Sequence, residues 1–226
     1  MSTVMITGAN RGLGLEFTKS FAADGWRVHA CARNVERSKK LRAIEGEIVS
    51  HKLDVTDGLK VASLARELAE EPLDLLINNA GIYGPRSGFG ETDYDEWIEV
   101  LQVNTLAPLR MVERFVGLLE RGEGGMVVNI SSIMGSIAGN SSGSSYIYRS
   151  SKAALNMVTK TLANYLADRG ITVVSLHPGW VSTDMGGPRA DISPTEAVAG
   201  MREVIAGLSP ADSGQFFNYD GQPLQW

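Results

Sequence analysis

The first fourteen residues constrain this chain more than any other stretch. A β-rich run, Thr3–Thr7, leads straight into Thr7-Gly8-Ala9-Asn10-Arg11-Gly12-Leu13-Gly14, and helical spacing starts near Gly12 and runs to about Asp24. A strand that turns through glycines into a helix opens a βαβ unit. The rhythm continues down the chain. Strand-like runs at Arg27–Ala32, Glu47–Leu53, Leu73–Asn78, Gly125–Ile130 and Ile171–Leu176 alternate with helical patterns near Val35–Leu41, Asp57–Glu70, within Asp93–Leu119, and over Ser145–Asp168. A final helix begins near Pro194, and a short strand, Gln215–Asn218, closes the pattern. Stretches such as Leu73–Ile77 and Met126–Ile130 are almost continuously apolar, as parallel strands covered on both faces are. The expected fold class is therefore α/β, a doubly wound parallel sheet with helices on both sides. With 226 residues, 43% of them hydrophobic and 21% charged, and no repeat, linker or low-complexity tail, one domain spanning 1–226 is expected.

The turn itself points to a ligand. Gly8, Gly12 and Gly14 let backbone approach a pyrophosphate, while the N-terminus of the first helix offers unpaired N–H groups and a partial positive charge. The spacing is Gly-x-x-x-Gly-x-Gly, and no Gly-Lys-Ser/Thr follows, which disfavours a nucleoside triphosphatase loop. A Rossmann-type dinucleotide site remains. NAD sites place an acid about 20 residues beyond the glycines to hold the ribose 2′-hydroxyl, but here Ala32-Arg33-Asn34 stands at the end of the second strand. A cation there suits a 2′-phosphate, and Arg11 can reach the same group. The alternative is that both arginines simply face solvent. NADP(H) is the expected cofactor.

Tyr148 and Lys152 lie four residues apart, on one face of a helix. A phenol titrates near 10, and acid–base work near neutrality needs a value about 2 to 3 units lower, roughly 3 to 4 kcal/mol of stabilisation of the phenolate. A neighbouring ammonium is expected to supply much of it. Ser132 follows the fifth strand at its carboxyl end, where ligands bind in doubly wound sheets, and its hydroxyl can donate to a carbonyl oxygen that gains negative charge. Taken singly, each of these is ordinary, since Tyr-x-x-x-Lys recurs in helices and serines cap them. The expectation rests on their combination.

Other signals narrow the partners. The net charge of −5 and the pI near 5.3 disfavour nucleic acid. A lone cysteine, Cys31, in an apolar strand excludes an internal disulfide and reads as a buried thiol. No stretch approaches the roughly 18 apolar residues of a membrane span, and no signal peptide fits the first residues. The expectation is a cytoplasmic protein with a small-molecule partner and no membrane or nucleic acid. His29, His51 and His177 are scattered without ligand spacing, so no metal is expected.

Together these residues resemble the short-chain dehydrogenase/reductase superfamily. The resemblance is carried in order by Thr-Gly-x-x-x-Gly-x-Gly at 7–14, Asn78-Asn79-Ala80-Gly81, Asn104, Ser132, Tyr148 with Lys152, and Pro178-Gly179-x-Val181-x-Thr183. It implies a seven-stranded parallel sheet in the order 3-2-1-4-5-6-7, with the dinucleotide across its carboxyl edge. It further implies cofactor contacts from Gly8, Asn10, Arg11, Gly12, Leu13 and Gly14, from Arg33, and from Asp54 and Val55 at the adenine. Asn79, Ala80 and Gly81 would border the cofactor, Tyr148 and Lys152 would meet the nicotinamide ribose, and Pro178, Gly179, Val181 and Thr183 would sit at the nicotinamide. Tyr148 would give a proton to the substrate oxygen, Ser132 would orient that oxygen, and Asn104 would hold a water leading to Lys152. Pairing through the fourth and fifth helices, Asp93–Leu119 and Ser145–Asp168, into a homodimer or homotetramer is implied by the same resemblance.

One interval departs from the family pattern. Sixteen residues separate Ser132 from Tyr148, and the surplus falls in Gly135–Ser145, a Gly- and Ser-rich segment that reads as a surface loop or the edge of an active site. That loop and the Tyr219-Asp220-Gly221 and Trp226 ending are similar to the C-factor/Sniffer-like branch of carbonyl reductases. The branch implies reduction of aldehydes or ketones, or else dinucleotide-dependent signalling with little turnover. The segment from Asp184 to Pro194 is a short substrate lid by the same resemblance, and suggests an open pocket that Met134, Tyr83 and Trp180 either line or border as ordinary packing.

Overall fold

The computed structural model describes residues 1–86 and 88–226. Seven strands, β1 (Thr3–Thr7), β2 (Arg27–Ala32), β3 (Ile48–Lys52), β4 (Leu75–Asn78), β5 (Met126–Ile130), β6 (Thr172–His177) and β7 (Phe216–Asn218), form one sheet in the order β3-β2-β1-β4-β5-β6-β7. Every pairing is parallel. The helices are α1 (Gly12–Ala23), α2 (Lys39–Arg42), α3 (Gly58–Glu67), α4 (Tyr94–Leu101), α5 (Ala107–Leu119), α6 (Tyr146–Leu166) and α7 (Pro194–Gly207). This is the Rossmann-type sheet and strand order expected from the sequence.

Strand alternation builds two cores. Val4, Ile6, Val128, Val174 and Leu176 point to one face and pack with Phe17 and Phe21 of α1 and Met201 of α7. Met5, Leu76, Val127 and Val173 point to the other, against Val61 of α3, Met111 and Phe115 of α5, and Leu162 of α6. Because both faces are covered, the strands read as nearly continuous apolar runs. Helix starts follow local chemistry: Asp57, Asp93 and Ser193 accept first-turn N–H bonds at α3, α4 and α7.

One element differs from the sequence reading. The long helical region Asp93–Leu119 is not a single regular helix, for a π-helical turn, Gln102–Leu106, joins α4 to α5. The extra residue per turn rotates Asn104 and Thr105 inward, where both are buried. Apolar periodicity carries no sign of such a turn. Among the described residues no helix is long and apolar enough to cross a membrane.

Candidate active site

The order reverses between β1 and β4, and the glycine turn lies at that switch point. A Cβ on Gly14 would sit 2.3 Å from the Gly8 carbonyl oxygen and 2.6 Å from Asn79 Nδ2, so only glycine fits there. Gly8 and Gly12 take φ of 68° and 51°, in the left-handed region. Asn79 holds the turn from the neighbouring strand, its Nδ2 donating to the Thr7 carbonyl at 2.8 Å, while the Asn79 and Ala80 N–H groups both donate to Thr7 Oγ1 at 3.0 Å. The Asn10 carbonyl accepts from Ser38 Oγ, and Leu13 packs on the core. In contrast to α3, α4 and α7, α1 has no side-chain cap; its first turn also carries no acid. Uncapped donors on a glycine cradle fit a pyrophosphate.

Around that cradle, the residues expected at the adenine make bonds within the protein. Asp54 Oδ1 accepts from Thr56 N and Oγ1 at 3.0 and 2.7 Å, and the carbonyl of buried Val55 accepts from Arg110 at 3.2 Å. Arg33 is exposed at the end of β2, without an ion pair among the described residues. Arg11 is paired, its Nη1 lying 3.0 Å from Asp184 Oδ2, with both side chains mostly exposed. Of the residues expected at the nicotinamide, Pro178 and Gly179 follow β6, Val181 is buried and bridges to Ile192, and the Thr183 methyl lies 3.6 Å from where a Gly12 Cβ would stand. The bridge folds the segment after β6 into a tight turn, with Trp180 Nε1 donating to the Gly186 carbonyl at 2.9 Å. Trp180 thus packs on that segment, whereas Tyr83 and Met134 meet each other at 3.8 Å.

Ser132, at the carboxyl end of β5, and Tyr148 and Lys152, on the buried face of α6, converge beside the glycine turn. Lys152 Nζ donates to the Ile130 carbonyl at 2.8 Å and sits 5.8 Å from the Tyr148 ring centroid. Burial pushes the Tyr148 phenol up to about 12, against a smaller opposing pull from the Ser132 hydroxyl, with Tyr83 adding to the rise. Burial also lowers Lys152 to about 8. The expectation that Lys152 brings the phenol below its ordinary value is therefore not met in this form of the site. Desolvation penalises both charged forms.

Asn104 is buried beside the site and anchored to the loop after β4. Its Oδ1 accepts from Ile82 N at 2.9 Å and its Nδ2 donates to the Ile82 carbonyl at 2.8 Å and to Ser151 Oγ at 3.0 Å. A Cβ on Gly81 would stand 3.3 Å from Asn104 Oδ1 and 3.7 Å from Lys152 Nζ, so Gly81 is the gap through which the two approach.

Sequence reasoning passed over a buried polar seam beneath these residues. Asn78 Nδ2 donates to Asn129 Oδ1, Asn129 Nδ2 donates to Thr159 Oγ1, and Thr159 shares a hydrogen bond with Ser175, all at 2.9 Å. Ser131 Oγ donates to Asn156 Oδ1 at 2.6 Å. The signal was available: Tyr148, Lys152, Asn156 and Thr159 recur at helical spacing on one side of α6.

A doubly wound sheet with an uncapped glycine turn at its switch point defines the Rossmann-type nucleotide-binding class. Within that class, the short chain dehydrogenase family matches residues 2–192, and the chain belongs to that oxidoreductase family. It is 42% identical over 164 residues to C-signal of Myxococcus xanthus, covering 73% of this chain and 99% of that protein. The carbonyl reductase Sniffer of D. melanogaster superposes with a TM-score of 0.94 at 33% identity, over 100% of both chains. An NADPH-bound carbonyl reductase from chicken fatty liver superposes with a TM-score of 0.91 at 35% identity, over 100% of this chain and 99% of that one. These neighbours support the C-factor/Sniffer-like branch.

Proposed function

We propose that this protein is an NADPH-dependent carbonyl reductase that converts aldehydes or ketones to alcohols. The observation that carries the reading is the convergence of Ser132, Tyr148 and Lys152 on the carboxyl edge of the sheet beside the glycine cradle. The NADPH-bound chicken reductase supports the cofactor, as do two exposed arginines, Arg11 and Arg33, at the ribose end. Bound NADPH supplies the hydride. Tyr148 gives its phenolic proton to the substrate oxygen, and a phenol held neutral by burial is the protonated form that this direction needs. Ser132 donates to the same oxygen and orients it. Lys152, buried and titrating at about 8, stays largely charged at neutral pH and favours the phenolate that remains after proton transfer. Asn104, across the Gly81 gap from Lys152, would hold a water that relays protons to Lys152.

Binding of NADPH and NADH, followed by cofactor oxidation over a panel of aldehydes, ketones and diketones, tests the proposal. NADPH-selective turnover is expected, and Tyr148→Phe should lose it by about a hundredfold or more while still binding NADPH. Full activity in that variant sinks the reading. The identity to C-signal favours a second reading, a dinucleotide-binding signalling protein. Tight NADPH binding, no turnover on the whole panel and capture of a partner only with NADPH present would select it. Association into a homodimer or homotetramer through α4, α5 and α6 belongs to the main proposal, supported by exposed Tyr94, Ile98, Met157 and Tyr165 on α4 and α6 and Leu106 in the turn between α4 and α5.

A further inference from the structure

The Tyr148 ring does not face a cavity on both sides. The ring of Tyr83, five residues beyond Asn78 at the end of β4, lies on it with centroids 4.4 Å apart and planes 17° from parallel. We infer that Tyr83 is a positioning residue for Tyr148, holding the phenol flat and one of its faces dry so that its hydroxyl stays beside Ser132. The inference rests on the reading of Tyr148 as the proton donor.

Tyr83 is itself held from three directions. Asn104 clamps both the N–H and the carbonyl of Ile82, one residue earlier. Gly84, one residue later, has φ 75°, and a Cβ there would lie 2.8 Å from a Val100 methyl and 3.3 Å from an Ile147 methyl, so the loop is wedged against α4 and α6. The Tyr83 hydroxyl lies 3.2 Å from Ser145 Oγ. Ser145 occupies the N-cap position of α6, where serine normally caps, yet it makes no cap bond. With Ser144 it is one of two non-glycine residues at positive φ among the described residues, 61° and 51°. A strained backbone of this kind persists only where its surroundings over-determine it. Here the serine is turned from its own helix towards Tyr83, which joins the start of α6, three residues before Tyr148, to the ring stacked on Tyr148. The same contacts give the buried Asn104 of the π-helical turn a mechanical task, because the loop it clamps is the one that carries Tyr83.

The titratable groups around the phenol are Lys152 on α6, Tyr83, and Arg86, whose guanidinium lies 5.0 Å from the Tyr83 ring centroid. Lys152 titrates at about 8, well apart from the phenol. NMR of Cζ-labelled tyrosine in the protein without substrate reads the phenol directly, the Tyr148 signal being assigned by its loss in Tyr148→Phe. In the wild type, Tyr148 should remain neutral to about pH 11, because burial holds it near 12. Tyr83→Ala admits water to the ring face and should bring the titration down by about one unit or more, towards the ordinary 10. Tyr83→Phe keeps the ring and should titrate much nearer the wild type than Tyr83→Ala does, lowered only by loss of the neighbouring Tyr83 hydroxyl. Turnover should fall about tenfold or more in Tyr83→Ala, through kcat and with NADPH affinity unchanged, and should recover to within about threefold in Tyr83→Phe. The inference is overturned if Tyr148 titrates alike in Tyr83→Ala and the wild type, or if Tyr83→Phe moves as far as Tyr83→Ala. If Tyr83→Ala does not fold, Tyr83→Leu covers the face without a flat partner, and a wild-type kcat in that variant overturns the inference equally. Absence of carbonyl turnover in the wild type would defeat the catalytic reading, while the NMR titration would still decide the packing.

Discussion

At the scale of single residues, close approach decides more than chemistry does. Gly14 shows why: its absent side chain is the space through which the Gly8 carbonyl passes. Gly14→Ala should weaken NADPH binding about tenfold or more and lower stability by about 1 to 3 kcal/mol, since overpacking there must displace backbone. Calorimetric titration with thermal melts checks both, and a Gly14→Ala protein that binds as the wild type would show that the cradle is not the pyrophosphate site. Gly8, Gly12, Gly14, Tyr148, Lys152 and Ser132 were legible in the sequence because each is a chemical type at a fixed spacing from a neighbour. Tyr83 was legible only as a side chain that lines or borders a pocket. Its stacking on Tyr148 joins residues 65 positions apart by number (148 − 83), which spacing does not encode. The raised phenol was likewise outside sequence reasoning, because burial, its main cause, depends on what the rest of the chain lays over the ring.

Whole elements show where periodicity succeeds and where it fails. α6 carries two stripes, an apolar one and the polar series Tyr148, Lys152, Asn156 and Thr159. The polar stripe docks on β5 and β6 through Asn129 and Ser175, and thereby sets the height of Tyr148 above the sheet. Thr159→Val removes the acceptor for buried Asn129 Nδ2 and should cost about 1 to 3 kcal/mol. A lowered urea midpoint with NADPH affinity intact is the expected result, and an unchanged midpoint would mean that the seam is replaceable. The π-helical turn Gln102–Leu106 marks the limit of pattern reading. Apolar residues on both sides of it keep helical spacing, so only the packing of α4 and α5 around the site reveals that Asn104 has been turned inward.

The molecule as a whole keeps its histidines neutral. His29 Nδ1 lies 2.9 Å from His51 Nε2 in a buried pair on β2 and β3, with Glu71 3.3 Å from His29 Nε2. Burial, followed by the neighbouring His51, lowers His29 from 6.5 to about 4; burial lowers His51 as well, and takes His177 to about 4. The unfolded chain therefore takes up protons first as pH falls. Stability contributed by these groups is present above about pH 6.5 and is lost as pH descends towards 4. Urea midpoints measured from pH 7 to pH 4.5 should decline steadily, and a flat profile over that window would refute the account.

By itself the sequence determined the fold class, the strand order expected of its family resemblance, the glycine turn and the identity of the groups gathered at the carboxyl edge. These follow from local quantities: apolar period, glycine position and side-chain spacing along one helix. Tertiary structure alone decided which surface charges meet, as Arg11 meets Asp184, and which proton equilibria move, as at Tyr148 and Lys152. It also brought Tyr83 onto Tyr148 and Asn104 onto Ile82. Contact and desolvation arise from surfaces distant in the chain, so they exist only once the sheet and its two helical layers have closed around the site.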